Sequence, residues 1–124
     1  MSLAAATLER TFCQADFNRF ARLSGDDNPI HTDPEFSART HFGRTVAHGL
    51  LLCSVLRGLV EEVMPGCVLL AQSVMFPAPT FTGEPMQFTV RPVESEGTGT
   101  QLSLEVKRAA SGEITCQGYC TVAT

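Results

Sequence analysis

Asp26 and His31 pair a carboxylate with an imidazole in the stretch SGDDNPIH. An imidazole with an ordinary pKa near 6.5 takes or gives a proton at neutral pH, and a carboxylate beside it can orient it or share the transfer. Facing one water, the two would form a general acid–base pair. The same spacing also suits a plainer role, an aspartate closing an Asx turn and a histidine that caps or packs. The surrounding segment, Ser24 to Gly49, holds all three histidines of the chain, His31, His41 and His48, together with Asp27, Asn28 and Asp33. Asn28 before Pro29 has the character of a turn start, and Asp33 that of a helix cap. His31, Asp33, His41 and His48 follow no metal-ligand spacing, so no metal site is expected. Gly49 stands near the first turn of a long apolar segment, where a helix leaves N–H groups unpaired and its dipole positive. A glycine there lets a substrate carbonyl approach such an N–H closely, as an oxyanion hole requires, or serves only close packing. His48 beside it reads as a cap or a packing residue.

These groups need a scaffold. Thr7 to Gln14 has the mixed polarity of a first strand. In QADFNRFARLSG, Asp16 is the expected N-cap, Phe17, Phe20, Ala21 and Ser24 share one helical face, and Gly25 stops the helix. Asp26 to Thr32 reads as a loop. Asp33 followed by Pro34 opens a second short helix, PEFSARTHF, ending near Gly43. From about Val46 to Met64 apolar residues cover most of the helical circumference, which predicts a buried helix roughly 27 Å long. Arg57 and Glu61 are spaced to pair on it, and Pro65-Gly66 ends it.

The remainder is β-patterned. CVLLAQSVMF is apolar enough for a strand buried on both faces. Met86, Phe88 and Val90, then Leu102, Leu104 and Val106, then Ile114, Cys116, Gly118, Cys120 and Val122 each alternate with polar residues, as strands with one wet face do. Glu96-Gly97-Thr98-Gly99 and Ala110-Ser111-Gly112-Glu113 are the expected turns. Sequential antiparallel strands must cover an apolar face, and the long helix is the one large apolar object on offer. The expectation is an α+β fold, an antiparallel sheet wrapped around a central helix. The apolar strand from Leu69 to Phe76 suggests that a second subunit covers it, hence a homodimer.

Composition narrows the function. The chain has 124 residues, 44% hydrophobic and 18% charged, which suits one globular domain over 1–124 with a real core. A net charge of -4 argues against nucleic acid as the main partner. Arg57, Glu61 and Glu62 interrupt the apolar run and argue against a membrane span. The amino terminus lacks the basic and apolar regions of a signal peptide, so a cytoplasmic protein is expected. Five cysteines, Cys13, Cys53, Cys67, Cys116 and Cys120, read as reduced and mostly buried thiols.

Ser24-Gly25-Asp26-Asp27-Asn28-Pro29-Ile30-His31-Thr32-Asp33, then Ala38, Phe42-Gly43 and Val46-Ala47-His48-Gly49, resemble the hydratase motif of the MaoC-like dehydratases, which include the (R)-specific enoyl-CoA hydratases. QSVMFPAPTFTGEPMQFTV is similar to that family's strand–turn–strand after the central helix, and the resemblance runs from about Phe17 onward. It implies a hot-dog fold, with short helices in the overhang segment, working as a dimer. It also implies reversible hydration of a trans-2-enoyl thioester of coenzyme A or acyl carrier protein to the (R)-3-hydroxyacyl thioester. By motif position Asp26 and His31 would be the catalytic pair, the Gly49 N–H would polarise the thioester carbonyl, and Asn28 would shape the substrate site. No cofactor would be required, because the thioester itself acidifies Cα. Asp27 stands where many relatives carry an uncharged residue and is expected to face solvent. Arg57 would either line an acyl tunnel or pair only with Glu61. The fold alone would also suit a thioesterase, or a thioester-binding subunit without turnover.

Overall fold

The computed structural model describes residues 4–93, 97 and 99–124. Five strands, β1 (Ala6–Thr11), β2 (Val68–Met75), β3 (Pro85–Val93), β4 (Thr100–Arg108) and β5 (Ile114–Ala123), form one antiparallel sheet in the order β1-β3-β4-β5-β2. Its inner face carries the expected alternation. Met86, Phe88, Val90, Leu102, Leu104, Val106, Cys116, Cys120 and Val122 are all buried. They close on Leu52, Leu56, Leu59, Val60 and Val63 of the central helix α4 (Gly49–Val63). Burying a side chain of this kind contributes roughly 1.5–3 kcal/mol, so this helix–sheet layer dominates the fold's cohesion.

Three short helices precede α4: α1 (Gln14–Ser24), α2 (Pro29–Thr32) and α3 (Pro34–Ala38). Cys13, not Asp16, is the N-cap of α1. Asp16 lies one turn inside, and its carboxylate accepts the Cys13 N–H at 2.9 Å, satisfying a donor that a helix start leaves free. Gly25, at φ 81°, ends α1 in the left-handed conformation, and its N–H bonds the Ala21 carbonyl. The stretch read as a loop contains the single turn α2, because the Asn28 side chain accepts the Ile30 N–H at 3.1 Å and Pro29 presets the backbone. Asp33 caps α3 as expected, bonding the Phe36 N–H at 3.0 Å. α3 stops at Ala38 rather than near Gly43. The Arg39 and Thr40 N–H groups turn to carbonyls three residues back, and the Thr40 hydroxyl takes the Ser37 carbonyl at 2.7 Å.

Two larger expectations are corrected. α4 begins at Gly49, not Val46, and is about 22 Å long. Val46 and Ala47 are held outside it, Val46 by a β-bridge to Phe81 and Ala47 by its N–H to the Thr80 carbonyl. Nor is the helix buried all round. Leu50 is 68% exposed, and Ser54, Gly58 and Glu62 share that open side, because one sheet curls around only one face of a helix. β2 is likewise not buried on both faces. It is an edge strand, and Val68, Leu69, Leu70 and Met75 stand exposed along it. Arg57 does pair with Glu61, at 3.5 Å, and also donates to the Cys67 carbonyl at 3.3 Å. The turn at Ala110–Glu113 is present, while Glu96 and Thr98 of the other expected turn lie outside the described residues. Among the described residues no helix is long and apolar enough to cross a membrane.

Candidate active site

α1, the turn α2 and the start of α4 meet at a cleft of about 360 Å³ lined by Phe20, Asp26, His31, His48, Gly49, Cys53, Gln72 and Phe76 among others. His31 sits in its wall, 8% exposed. Its Nδ1 lies 2.7 Å from the Val46 carbonyl, an acceptor only, so Nδ1 carries the proton in the neutral ring. That leaves Nε2 with a lone pair aimed into the cleft, 3.7 Å from Asp26 Oδ2. The gap exceeds a good hydrogen bond and suits two groups that share a third atom. The other carboxylate oxygen of Asp26, Oδ1, accepts the Asn28 N–H at 3.4 Å, the Asx turn read from the sequence. The turn thus holds one oxygen and presents the other.

The backbone that carries His31 is tied down from several sides. Val46 N–H donates to the Ile30 carbonyl at 2.9 Å. Gln14 Nε2 donates to the His31 carbonyl at 2.8 Å, and the Thr45 hydroxyl donates to Gln14 Oε1 at 2.7 Å. Asn28 does not line the cleft. Its side chain caps α2, and it shapes the site through that turn. Asp27 points away from the cleft into a separate hollow beside Arg22 and Thr32. His41 is exposed and packs on Phe42, its ring 4.0 Å away.

His48, read from the sequence as a cap or a packing residue, holds the N-cap position of α4 and packs against Phe20 and His31. Its Nε2–H donates to the backbone carbonyl of Asp26 at 2.9 Å. Its ring stacks on that of His31, with centroids 3.8 Å apart and planes 23° from parallel. One side chain thereby fixes the position of both members of the pair. Its Nδ1 is buried without a partner among the described residues. The adjoining VAHG motif was the available signal, but only the fold shows the contact. Asp26, His31 and His48 each bring one potential metal-ligating atom within 4.8 Å of the others. Stacked rings hold their in-plane lone pairs side by side, whereas a tetrahedral ion needs them to converge, so the arrangement suits proton transfer better than coordination.

Burial lowers the pKa of His48, an effect that the bond to the Asp26 carbonyl opposes and the neighbouring His31 reinforces. The folded protein therefore binds this proton less readily than the unfolded chain. Stability from the neutral ring is complete above the ordinary value of 6.5 and is lost as pH falls through it toward the lowered folded value. Thermal melts should show Tm falling across this window, and His48→Gln should flatten that part of the curve. An unchanged slope in His48→Gln would remove His48 as its source.

Gly49 is the first residue of α4, where N–H groups have no partner inside the helix. A Cβ there would come 2.7 Å from Phe76 Cζ and 2.9 Å from Cε2, so the aromatic ring lies against the bare glycine. Cys53, one turn along α4, completes the wall. A hydrogen bond from Cys116 pulls its thiol down to about 7 against the opposing effect of burial, with Gln72 assisting, while Cys116 is raised in return.

A family model for the MaoC-like domain matches residues 4–123. The chain belongs to the MaoC-like family. The (R)-specific enoyl-CoA hydratase of Aeromonas caviae is 43% identical over 81 residues, 64% of this chain and 60% of that protein. The 3-hydroxybutyryl-CoA dehydratase of Methylorubrum extorquens is 34% identical over 117 residues, 93% of this chain and 74% of that one. The solved structure of the A. caviae (R)-hydratase involved in PHA biosynthesis superposes with a TM-score of 0.89 at 32% identity, covering 98% of this chain and 95% of that one. This MaoC-like protein therefore has the hot-dog fold that the resemblance implied, the sheet wrapped around α4 with α1 and α2 contributing to the wall of the site.

Proposed function

We propose that the protein hydrates trans-2-enoyl thioesters to (R)-3-hydroxyacyl thioesters, reversibly, at the Asp26/His31 cleft. The observation that carries this reading is the pairing of a bare imidazole Nε2 with a carboxylate Oδ2, 3.7 Å apart, beside the open N–H of Gly49. A water between the two bases donates one hydrogen to each and keeps a lone pair for Cβ. As the oxygen attacks Cβ, the pair takes one proton from water, and the electrons of the double bond move toward the thioester carbonyl. The Gly49 N–H and the positive end of α4 receive that charge. The pair then returns a proton to Cα, so one water is added and no net proton is consumed. No metal or redox cofactor enters this sequence, because the thioester supplies the acidity of Cα. A reducing compartment such as the cytoplasm suits the five free thiols.

The test is loss of the conjugated enoyl-thioester absorbance of crotonyl-CoA, with free thiol followed in parallel. Absorbance should fall with no thiol released. Thiol release would mean hydrolysis, a different activity on the same fold.

We also infer a homodimer through β2. An unpaired strand edge bearing Val68, Leu70 and Met75, each more than half exposed, is a template for pairing with a second copy about a two-fold axis. Sedimentation should give twice the 13.4 kDa of the chain. The double variant Leu70→Lys, Met75→Lys should shift it toward monomer. A wild-type monomer at micromolar concentration would overturn this inference.

A further inference from the structure

The catalytic cleft holds one nucleophile that hydration does not use. Cys53 stands one turn along α4 from Gly49 and lines the cleft beside Gln72, Val74 and Phe76. Cys116 faces it from the sheet. It is fully buried on the inner face of β5, next to the end of the β2 pairing at Met75↔Gln117. Its S–H bonds the Cys53 sulfur, and the Gln72 side chain reaches the same atom. A thiol in the wall of an open cleft thus touches a second thiol behind it.

The two differ in reactivity. The bond from Cys116 draws the Cys53 thiol down to about 7 against the opposing effect of burial, so at neutral pH much of it is thiolate, the form that reacts. Cys116 is pushed up and keeps its proton. Cys67 and Cys120, the other neighbouring buried thiols, do not line the cleft, and burial together with the nearby Cys67 raises Cys120.

We propose that Cys53 and Cys116 form a peroxide-sensitive pair whose disulfide switches the cleft off. The Cys53 thiolate attacks one oxygen of hydrogen peroxide, the O–O bond breaks, and Cys53 becomes a sulfenic acid. The other oxygen leaves as hydroxide and takes up the proton that Cys53 had released. The Cys116 sulfur then attacks the Cys53 sulfur, and the hydroxyl leaves with the Cys116 proton as water. Two thiols are oxidised, one peroxide is reduced, and two waters form. A disulfide brings its sulfurs closer than any hydrogen bond does, so closure draws this turn of α4 toward β5. Gly49 is on the adjoining turn, and a shift of about 1 Å in a positioned group costs roughly 10²-fold in rate. A thiol reductant reverses the change. The effect on turnover rests on the hydratase reading; the thiol pair does not.

The test treats the reduced protein with hydrogen peroxide and then alkylates the remaining thiols under denaturing conditions. Peptides are mapped by mass spectrometry without reduction, and the rate on crotonyl-CoA is followed in parallel. A Cys53–Cys116 linked peptide should appear, with Cys67 and Cys120 still alkylated. The rate should fall about tenfold or more and return with dithiothreitol. Cys53 and Cys116 both left alkylated, or Cys53 linked elsewhere, overturns the proposal. The link formed with an unchanged rate overturns its control of the cleft. A reduced protein that does not hydrate crotonyl-CoA counts against the hydratase reading, while the peptide map still decides the pair. In Cys116→Ala the reaction should stop at the Cys53 sulfenic acid, trapped by dimedone. Dimedone on other cysteines alone would overturn Cys53 as the thiol that peroxide meets first.

Discussion

Asp26→Asn is expected to leave the fold intact and to lower hydration of crotonyl-CoA by roughly 10²- to 10⁴-fold, the range that a positioned proton-transfer group supplies. The amide preserves shape. Its oxygen can still accept the Asn28 N–H, so the turn that leads to His31 survives. What changes is the atom opposite Nε2, now 3.7 Å from a carboxylate oxygen. An NH₂ group there cannot take a proton from water, and it donates toward the imidazole lone pair that must accept one. Two functions are lost with one substitution. The measurement is kcat at constant circular dichroism and Tm. A variant that turns over like the wild type would take Asp26 out of the mechanism.

His31→Ala should lose turnover over the same range and should also cost stability, which separates it from Asp26→Asn. Its Nδ1–H satisfies the Val46 carbonyl at 2.7 Å, and its ring is the surface on which His48 stacks. Truncation leaves a buried carbonyl without its donor, worth about 1–3 kcal/mol, and opens a space the size of an imidazole. Added imidazole should then restore part of the rate, since the remaining carboxylate and the Gly49 N–H still define where water and thioester sit. Lost stability without any rescue would assign His31 a role in packing rather than proton transfer. His48 should behave as a positioning residue between these two. It touches the Asp26 backbone and the His31 ring but presents no proton at the cleft, so His48→Gln should move the acid limb of stability more than it moves the chemistry.

Much of the site was legible because its signals are local. An aspartate, an Asn-Pro turn start and a histidine within six residues enforce their own geometry. Asn28 caps the turn, Pro29 fixes its entry, and the carboxylate of Asp26 bonds back to the chain two residues on. The capped start of α3 at Asp33 and the glycine stop of α1 are equally local. The period-two strands were readable for the same reason, since alternate residues face opposite sides of a strand wherever it is placed.

Other features needed the tertiary structure, because they depend on partners distant in sequence. The residues themselves set the types and order of the candidate catalytic groups and the α+β class. Only the fold decided that α4 begins at Gly49, because the bridge from Val46 to Phe81 and the bond from Ala47 to Thr80 hold back a segment whose composition would extend the helix. It also placed the apolar Val68–Met75 at a sheet edge rather than in the core, since strand order is a matter of pairing and not of hydrophobicity. The same long-range packing laid the ring of His48 on His31 and that of Phe76 over Gly49, contacts for which no short-range pattern codes.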